Sequence, residues 1–320
     1  MDVFSFVKSK GNLVSVLMSA GTVLAGTAGA VVRGNMEILA ASICLLFAVF
    51  TQLGANYRHA YELEKLHISS LPRKKIHNLK EDEPNPLEKR VLKEASNACF
   101  ILAGMLGVTI MSMSRVPYIM LGIGVLIALI IYFLNYKGGL SMSTWIGLLC
   151  TFLLFGPIGV MGTCLLQTQY EATSSIWGMY DTAPPIYLAF GMGMLAINIH
   201  LAYSYYVNRL APGQNTRNIS SRLGAKTTEI IIFVNGLLAF IVVTYKAFNL
   251  DFENPLVGSI PFFLGFMLNT YIAIKMSRSN IAELRHLSML VVVNYFLTGM
   301  LVFIIWWILG TPDDSIRVFF

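Results

Sequence analysis

Polar and charged side chains cluster where two long apolar segments of this sequence end. The first cluster comprises Gln52, Asn56, Arg58, His59, Glu62, Glu64 and Lys65, and the second comprises Tyr203, Ser204, Asn208 and Arg209. Polar groups at membrane depth are costly unless they face the interior of a bundle or a water-filled cavity. We therefore expect the two clusters to face each other across a ligand pocket. The alternative is that both are ordinary interfacial helix ends, with tyrosines at the level of the lipid headgroups.

The apolar segments that carry these clusters belong to a set of nine. They cover residues 12–32, 36–57, 93–113, 117–135, 144–166, 185–206, 228–248, 255–276 and 287–310. Each approaches the roughly 20 residues that an α-helix needs to cross about 30 Å of hydrocarbon. The alternating ten-residue pattern of a membrane β-barrel is not visible. The sequence thus predicts an all-α integral membrane protein, with nine transmembrane helices in a single domain spanning residues 1–320.

The basic residues between the spans alternate from side to side. All but four of the 23 Lys and Arg residues fall on one side of the predicted membrane, and the exceptions are Arg33, Arg115, Lys246 and Arg317. The positive-inside rule therefore places the N-terminus in the cytoplasm and the C-terminus outside. We expect a multi-pass protein of a bacterial inner membrane.

Composition narrows the classes of partner. The chain is 56% hydrophobic and 12% charged, with a net charge of +6. Because the basic residues lie in the predicted cytoplasmic loops, they would meet anionic lipid headgroups or an anionic substrate. We therefore expect membrane lipid as a partner, allow for a protein partner, and expect no nucleic acid.

Two predicted cytoplasmic loops, residues 58–92 and 207–227, are longer than the other connections on that side. Long loops are uncommon unless they have a function. Each follows a span whose last turns are polar, and four helices separate the two spans. This interval indicates a weak internal repeat, in which two four-helix-like units surround a lipid-accessible cavity and the two loops cap its pocket.

One segment of the sequence resembles a known family. Residues Tyr136–Thr168 are similar to the central segment of the UbiA superfamily of intramembrane prenyltransferases, and most similar to the branch that prenylates 1,4-dihydroxy-2-naphthoate in menaquinone biosynthesis. Gln52-Leu-Gly-Ala-Asn56 resembles the approach to the first Asp-rich motif of that family, and Arg222-Leu-Gly224 resembles the segment that closes its second cytoplasmic loop. The resemblance implies a nine-helix fold with the N-terminus inside.

The resemblance also implies an activity and a cofactor. Members of the family remove diphosphate from a polyprenyl donor and join its allylic carbon to an aromatic acceptor, with Mg²⁺ held by Asp residues on spans two and six. In this sequence the ungapped match places those Asp positions on Ala60, Leu63, Ser204 and Asn208. The Asn of the first motif falls on His59, and the Arg of the second falls on Tyr203. Neutral side chains cannot supply the charge that Mg²⁺ prefers in its ligands, so we expect Mg²⁺ only if transferase activity survives, and we name no metal ligand.

Three functional hypotheses follow from the absence of Asp at these four positions. In the first, which the missing carboxylates favour, the protein is a divergent or non-catalytic relative that binds a prenyl lipid, a quinone or a partner subunit. In the second it is an active prenyltransferase in which Glu62 and Glu64 act as the catalytic carboxylates. In the third it transports lipid. The residues expected to bind substrate or diphosphate are Gln52, Asn56, Arg58, His59, Lys65, Lys137, Tyr203, Ser204, Asn208 and Arg209.

Overall fold

The computed structural model describes residues 13–32, 36–70, 86–114, 117–135, 145–168, 184–210, 219–247 and 255–310. All regular secondary structure in these ranges is helical. The helices are α1 (Leu13–Val31), α2 (Ile38–Ser70), α3 (Pro86–Met113), α4 (Pro117–Asn135), α5 (Trp145–Gln167), α6 (Pro184–Leu210), α7 (Ile219–Leu223), α8 (Ala225–Ala247), α9 (Pro255–Met276) and α10 (Ile281–Gly310).

Eight of the helices in the described ranges are long and apolar enough to cross a membrane. They are α1, α2, α3, α5, α6, α8, α9 and α10. The apolar part of α4, Pro117–Tyr132, is shorter. The chain is therefore a multi-pass integral membrane protein, whereas the ninth span and the orientation remain predictions. The single domain over residues 1–320 and the capping role of the two loops also remain predictions, and residues 71–85 and 211–218 of those loops lie outside the described residues.

Local sequence signals explain several helix ends. Proline begins α3, α4, α6 and α9, a position where its fixed φ suits the helix and its missing N–H is not needed. Before α10, the backbone N–H of Glu283 donates to Asn280 Oδ1 at 2.9 Å and the N–H of Asn280 donates to Glu283 Oε2 at 3.2 Å, which forms a reciprocal cap. Gly224 separates α7 from α8 with φ 81°, a backbone conformation that glycine adopts without strain.

Helix α5 changes its winding in the middle of its length. Its central part, Leu154–Met161, is π-helical and contains Pro157. Proline lacks an N–H and its ring clashes with the preceding turn of an α-helix, and a π-helical turn is one way to absorb that disruption. The wider turn shapes the wall that α5 presents to its neighbours.

The second half of the bundle is densely packed around α6. This helix contacts α1, α5, α8 and α10, and Leu188, Met192 and Leu201 on it are fully buried. Glycines let the backbones approach closely: a Cβ on Gly156 of α5 would lie 2.5 Å from the carbonyl oxygen of Ala189 in α6. Close approach through small residues is a common way to pack helices in lipid, where apolar burial between helices gains little.

Buried asparagines join the helices of this half. Asn198 of α6 donates to the Ile232 carbonyl at 3.0 Å, and its Oδ1 accepts from Asn235 Nδ2 of α8 at 3.0 Å. Asn269 of α9 and Asn294 of α10 both donate to the carbonyl oxygen of Gly265, at 2.9 and 3.0 Å. Asn198 Nδ2 also donates to Asn269 Oδ1 at 3.3 Å, which links the two pairs of helices. These bonds satisfy polar side chains that would otherwise be buried without partners, and they join four helices.

Replacing Gly156 with alanine is expected to destabilise the protein. The new Cβ would press on the backbone of α6, which cannot move like a flexible side chain, and we expect unfolding to become easier by about 1–3 kcal/mol. The matched control is Gly162→Ala in the same helix, where a Cβ meets nothing within 4 Å and helix propensity favours alanine. Reversible unfolding in mixed micelles measures both. Equal stability of the two variants would contradict the close packing of α5 on α6.

Candidate functional site

A large cavity lies between helices α1 to α5. Its volume is about 1060 Å³, which is at the upper limit of the roughly 300–1,000 Å³ typical of pockets for drug-sized ligands. The walls are mostly apolar and include Phe47 of α2, Phe100 of α3, Ile123 of α4 and Phe155 of α5. The site is therefore built for an apolar ligand.

The cavity is long in the direction of the helices. Its lining on α2 extends from Cys44 to Glu62, and 18 residues at 1.5 Å per residue span about 27 Å. This length is close to the hydrocarbon thickness of a bilayer, about 30 Å. Gly107 of α3 lines it beside Phe47, and Met120 and Tyr132 line it from α4.

An ion pair marks the end of the cavity that the charge pattern predicts to be cytoplasmic. Arg58 Nη2 lies 2.9 Å from Glu62 Oε1, one turn further along α2, and the two side chains are 39% and 15% exposed. The Arg58 guanidinium also lies over the ring of Tyr61, 5.3 Å from its centroid. Because the positive and the negative charge lie side by side, the pair has no net charge.

Two other predicted residues connect α2 to α1. Asn56 Nδ2 donates to Ser15 Oγ at 2.8 Å, and Gln52 Nε2 contacts Ser15 Oγ at 3.3 Å and Asn56 Oδ1 at 3.1 Å. Gln52 also lines the cavity. These amides hold the polar end of α2 against α1, and Gln52 presents a hydrogen-bonding group at the edge of the cavity.

His59 lies one helical turn beyond Asn56 and does not line the cavity. Its Nδ1 is buried and has no hydrogen-bond partner among the described residues. The side chains of Leu63, Glu64 and Lys65, like the whole of Lys137, lie outside the described residues. Their predicted roles stay predictions.

The second predicted cluster, at the end of α6, contributes nothing to the lining of this cavity. Ser204 is buried, and its Oγ accepts a hydrogen bond from the backbone N–H of Ser220 at 3.3 Å. Tyr203 is 60% exposed, Arg209 is exposed and Asn208 is half-buried. The structure thus brings Gln52, Arg58 and Glu62 to one cavity, while Ser204 contacts the chain that leads from α6 to α8.

The described donor set does not fit a magnesium–diphosphate site. No group of three or more His, Cys, Asp or Glu side chains lies together in the part of the chain that the structure describes. Glu62 already pairs with Arg58, and Ser204, at a position where the resemblance expects Asp, is neutral and hydrogen-bonded to the backbone. Mg²⁺ in proteins takes carboxylate ligands together with substrate phosphates, and these side chains do not offer it an uncommitted carboxylate.

A hydrogen-bonded tyrosine that sequence reasoning missed supports the cavity wall. Tyr295 of α10 is fully buried, and its hydroxyl donates to the Phe155 carbonyl at 2.9 Å and lies 2.7 Å from Thr22 Oγ1. It thereby ties the π-helical part of α5 to α1 and α10. Pro157 was a visible signal of irregular winding, but nothing in the sequence connects it to a residue 138 positions later.

Removing the Tyr295 hydroxyl is expected to loosen this wall. Tyr295→Phe leaves the Phe155 carbonyl without its side-chain donor, and we expect unfolding to become easier by about 1–3 kcal/mol. The control is Tyr118→Phe, because Tyr118 is 87% exposed. Thermal unfolding of the purified proteins in detergent provides the comparison. A melting temperature unchanged in both variants would show that the contact contributes no stability.

The structure resembles a solved membrane protein. It is similar to the apo structure of a UbiA homolog from Aeropyrum pernix K1, with a TM-score of 0.56 and 15% sequence identity, over 87% of this chain and 94% of that chain. No protein-family model matches the sequence, and no curated protein matches it. At this level of identity the similarity shows the fold, and we conclude that the chain has the UbiA-like fold.

Proposed function

We propose that this protein is a non-catalytic UbiA relative that binds a prenyl lipid or a quinone-like isoprenoid in the cavity between α1 and α5. The observation that carries the proposal is the shape and chemistry of that cavity: about 1060 Å³ of mostly apolar space, with charged groups at one end. An isoprenoid has the same division, with a long apolar chain and a polar head.

The length of the cavity supports a chain-like ligand. Its lining runs over about 27 Å of α2, so a linear chain can lie parallel to the helices with its head beside Arg58 and Glu62. Aromatic and branched side chains such as Phe47, Phe100 and Ile123 offer a surface for such a chain. In this arrangement the tail points towards the side predicted to be outside.

The donor set argues against the transferase chemistry of the family. The positions that the resemblance assigns to metal-binding Asp hold Ala60, Leu63, Ser204 and Asn208. The carboxylate of Glu62 that does line the cavity is neutralised by Arg58. Function depends on the groups in the site and does not follow from the fold. These groups are better suited to binding a lipid than to catalysing the release of diphosphate.

One observation keeps an active prenyltransferase as the second candidate. Arg58 and Glu62 lie at the end of α2 where the resemblance places the diphosphate, and both line the cavity. An active enzyme would release diphosphate from a polyprenyl diphosphate in the presence of 1,4-dihydroxy-2-naphthoate and Mg²⁺, and would lose that activity on replacement of Glu62 and Glu64 by Gln. Our proposal predicts no such release.

Two glycines of α4 allow the cavity to be blocked with a matched control. Gly124 lines the cavity and Gly122 does not, and a Cβ on either meets nothing within 4 Å. We expect Gly124→Leu to lower the affinity for tritiated geranylgeraniol at least about tenfold, because a side chain now competes for space with the ligand. Gly122→Leu should bind as the unsubstituted protein does.

The measurement is equilibrium binding to protein in nanodiscs, with melting temperatures as the check on folding. If Gly124→Leu and Gly122→Leu bind geranylgeraniol equally well, the ligand does not occupy this cavity. Absence of any saturable binding to the unsubstituted protein would overturn the proposed function. Mg²⁺-dependent release of diphosphate that requires Glu62 would establish the transferase instead.

A further inference from the structure

The charges that line the cavity point to the chemistry of the ligand's head group. We infer that the cavity selects an isoprenoid with a neutral, hydrogen-bonding head, an alcohol or a quinone, over the same chain carrying a phosphate or diphosphate. This inference rests on the proposed function, because it concerns the head of the lipid that the cavity binds.

The apolar tail contributes little to this choice. A lipid that moves from the bilayer into the protein exchanges one apolar environment for another, so burying its chain gains little free energy. Two lipids with the same chain therefore fill the apolar walls of α2, α3 and α4 equally well. The difference in their affinities arises at the polar end.

The described lining has no net charge at that end. Arg58 and Glu62 are the charged residues among the described side chains that line the cavity, and they form an ion pair of 2.9 Å. An anionic head would have to share Arg58 with Glu62 and would lie beside the Glu62 carboxylate. A negative head group beside the Glu62 carboxylate would be repelled by it, although solvent at Arg58, which is 39% exposed, weakens the effect. Separating the pair would leave Glu62, which is 15% exposed, without its counter-charge.

Neutral hydrogen-bonding groups are available in the same cavity. Gln52, Thr51 and Asn97 line it together with the ion pair. An amide offers both donors and an acceptor, and a hydroxyl can donate or accept. The Gln52 amide nitrogen already donates to Ser15 and Asn56, so Gln52 offers its carbonyl oxygen. Thr51 and Asn97 offer donors. Together they match the hydroxyl of an alcohol or the carbonyl of a quinone, neither of which needs an extra cation.

The test compares two lipids that differ in the head alone. Geranylgeraniol and geranylgeranyl diphosphate have the same chain, and their affinities are measured for protein in phosphatidylcholine nanodiscs, with and without Mg²⁺. We expect the alcohol to bind at least about tenfold more tightly than the diphosphate under both conditions. Gly124→Leu should weaken the binding of both, which shows that both measurements report the same cavity.

A charge change at Glu62 should reduce or abolish the preference for the alcohol. Glu62→Gln removes the negative charge and leaves Arg58 free to pair with the ligand, so we expect the affinity for the diphosphate to rise at least about tenfold while that for the alcohol stays within about threefold. The matched control is Glu94→Gln. Glu94 pairs with Arg90 at 2.7 Å with the same spacing on α3, and it does not line the cavity.

The possible outcomes separate this inference from the proposed function. Tighter binding of the diphosphate to the unsubstituted protein, blocked by Gly124→Leu, would overturn the inference on the head group and leave an isoprenoid-binding cavity. Failure of both lipids to bind would overturn the proposed function itself. An increase in diphosphate affinity with Glu94→Gln as large as with Glu62→Gln would show a general charge effect and also contradict the inference. If Glu62→Gln does not fold, the comparison of the two lipids on the unsubstituted protein decides alone.

Discussion

A protein inside the bilayer must provide partners for its own polar groups, because the surrounding hydrocarbon provides none. The described structure meets this requirement in two ways. Between α6, α8, α9 and α10, Asn198, Asn235, Asn269 and Asn294 bond to one another or to backbone carbonyls. At the end of α2 a full positive charge and a full negative charge lie side by side. The asparagines hold closely packed helices together, whereas the ion pair leaves the described lining of an open cavity without net charge.

The two halves of the bundle consequently have different roles. In the half around α6, buried asparagines and backbone contacts at Gly156 leave little freedom to the helices. In the other half, α2, α3 and α4 surround the cavity, and glycines such as Gly104 and Gly124 enlarge it. The π-helical part of α5 lies between the halves and is held by Tyr295. The closely packed half therefore supports the wall of the half that contains the cavity.

The sequence predicted the membrane class and most of the helices, because apolar length alone decides whether a helix can span a bilayer. Gln52, Arg58 and Glu62, which stand out in the sequence as polar residues in an apolar helix, line the cavity, and their part in binding a ligand stays a prediction. The sequence did not reveal which helices surround the cavity. Ser204 has a polar oxygen suited to a pocket, yet the backbone N–H of Ser220 occupies it, and that contact depends on how the chain turns after α6. Pairings of this kind require the tertiary structure.

The central claim is that the cavity between α1 and α5 holds the apolar chain of an isoprenoid. The most direct measurement is photo-crosslinking with an isoprenoid alcohol that carries a diazirine in its tail, followed by mass spectrometry of the labelled peptides. We predict labels on residues that line the cavity, such as Phe47, Ala103 and Ile127, and competition by unlabelled geranylgeraniol. Labels confined to α8, α9 and α10, or labels that the unlabelled alcohol does not remove, would contradict the account.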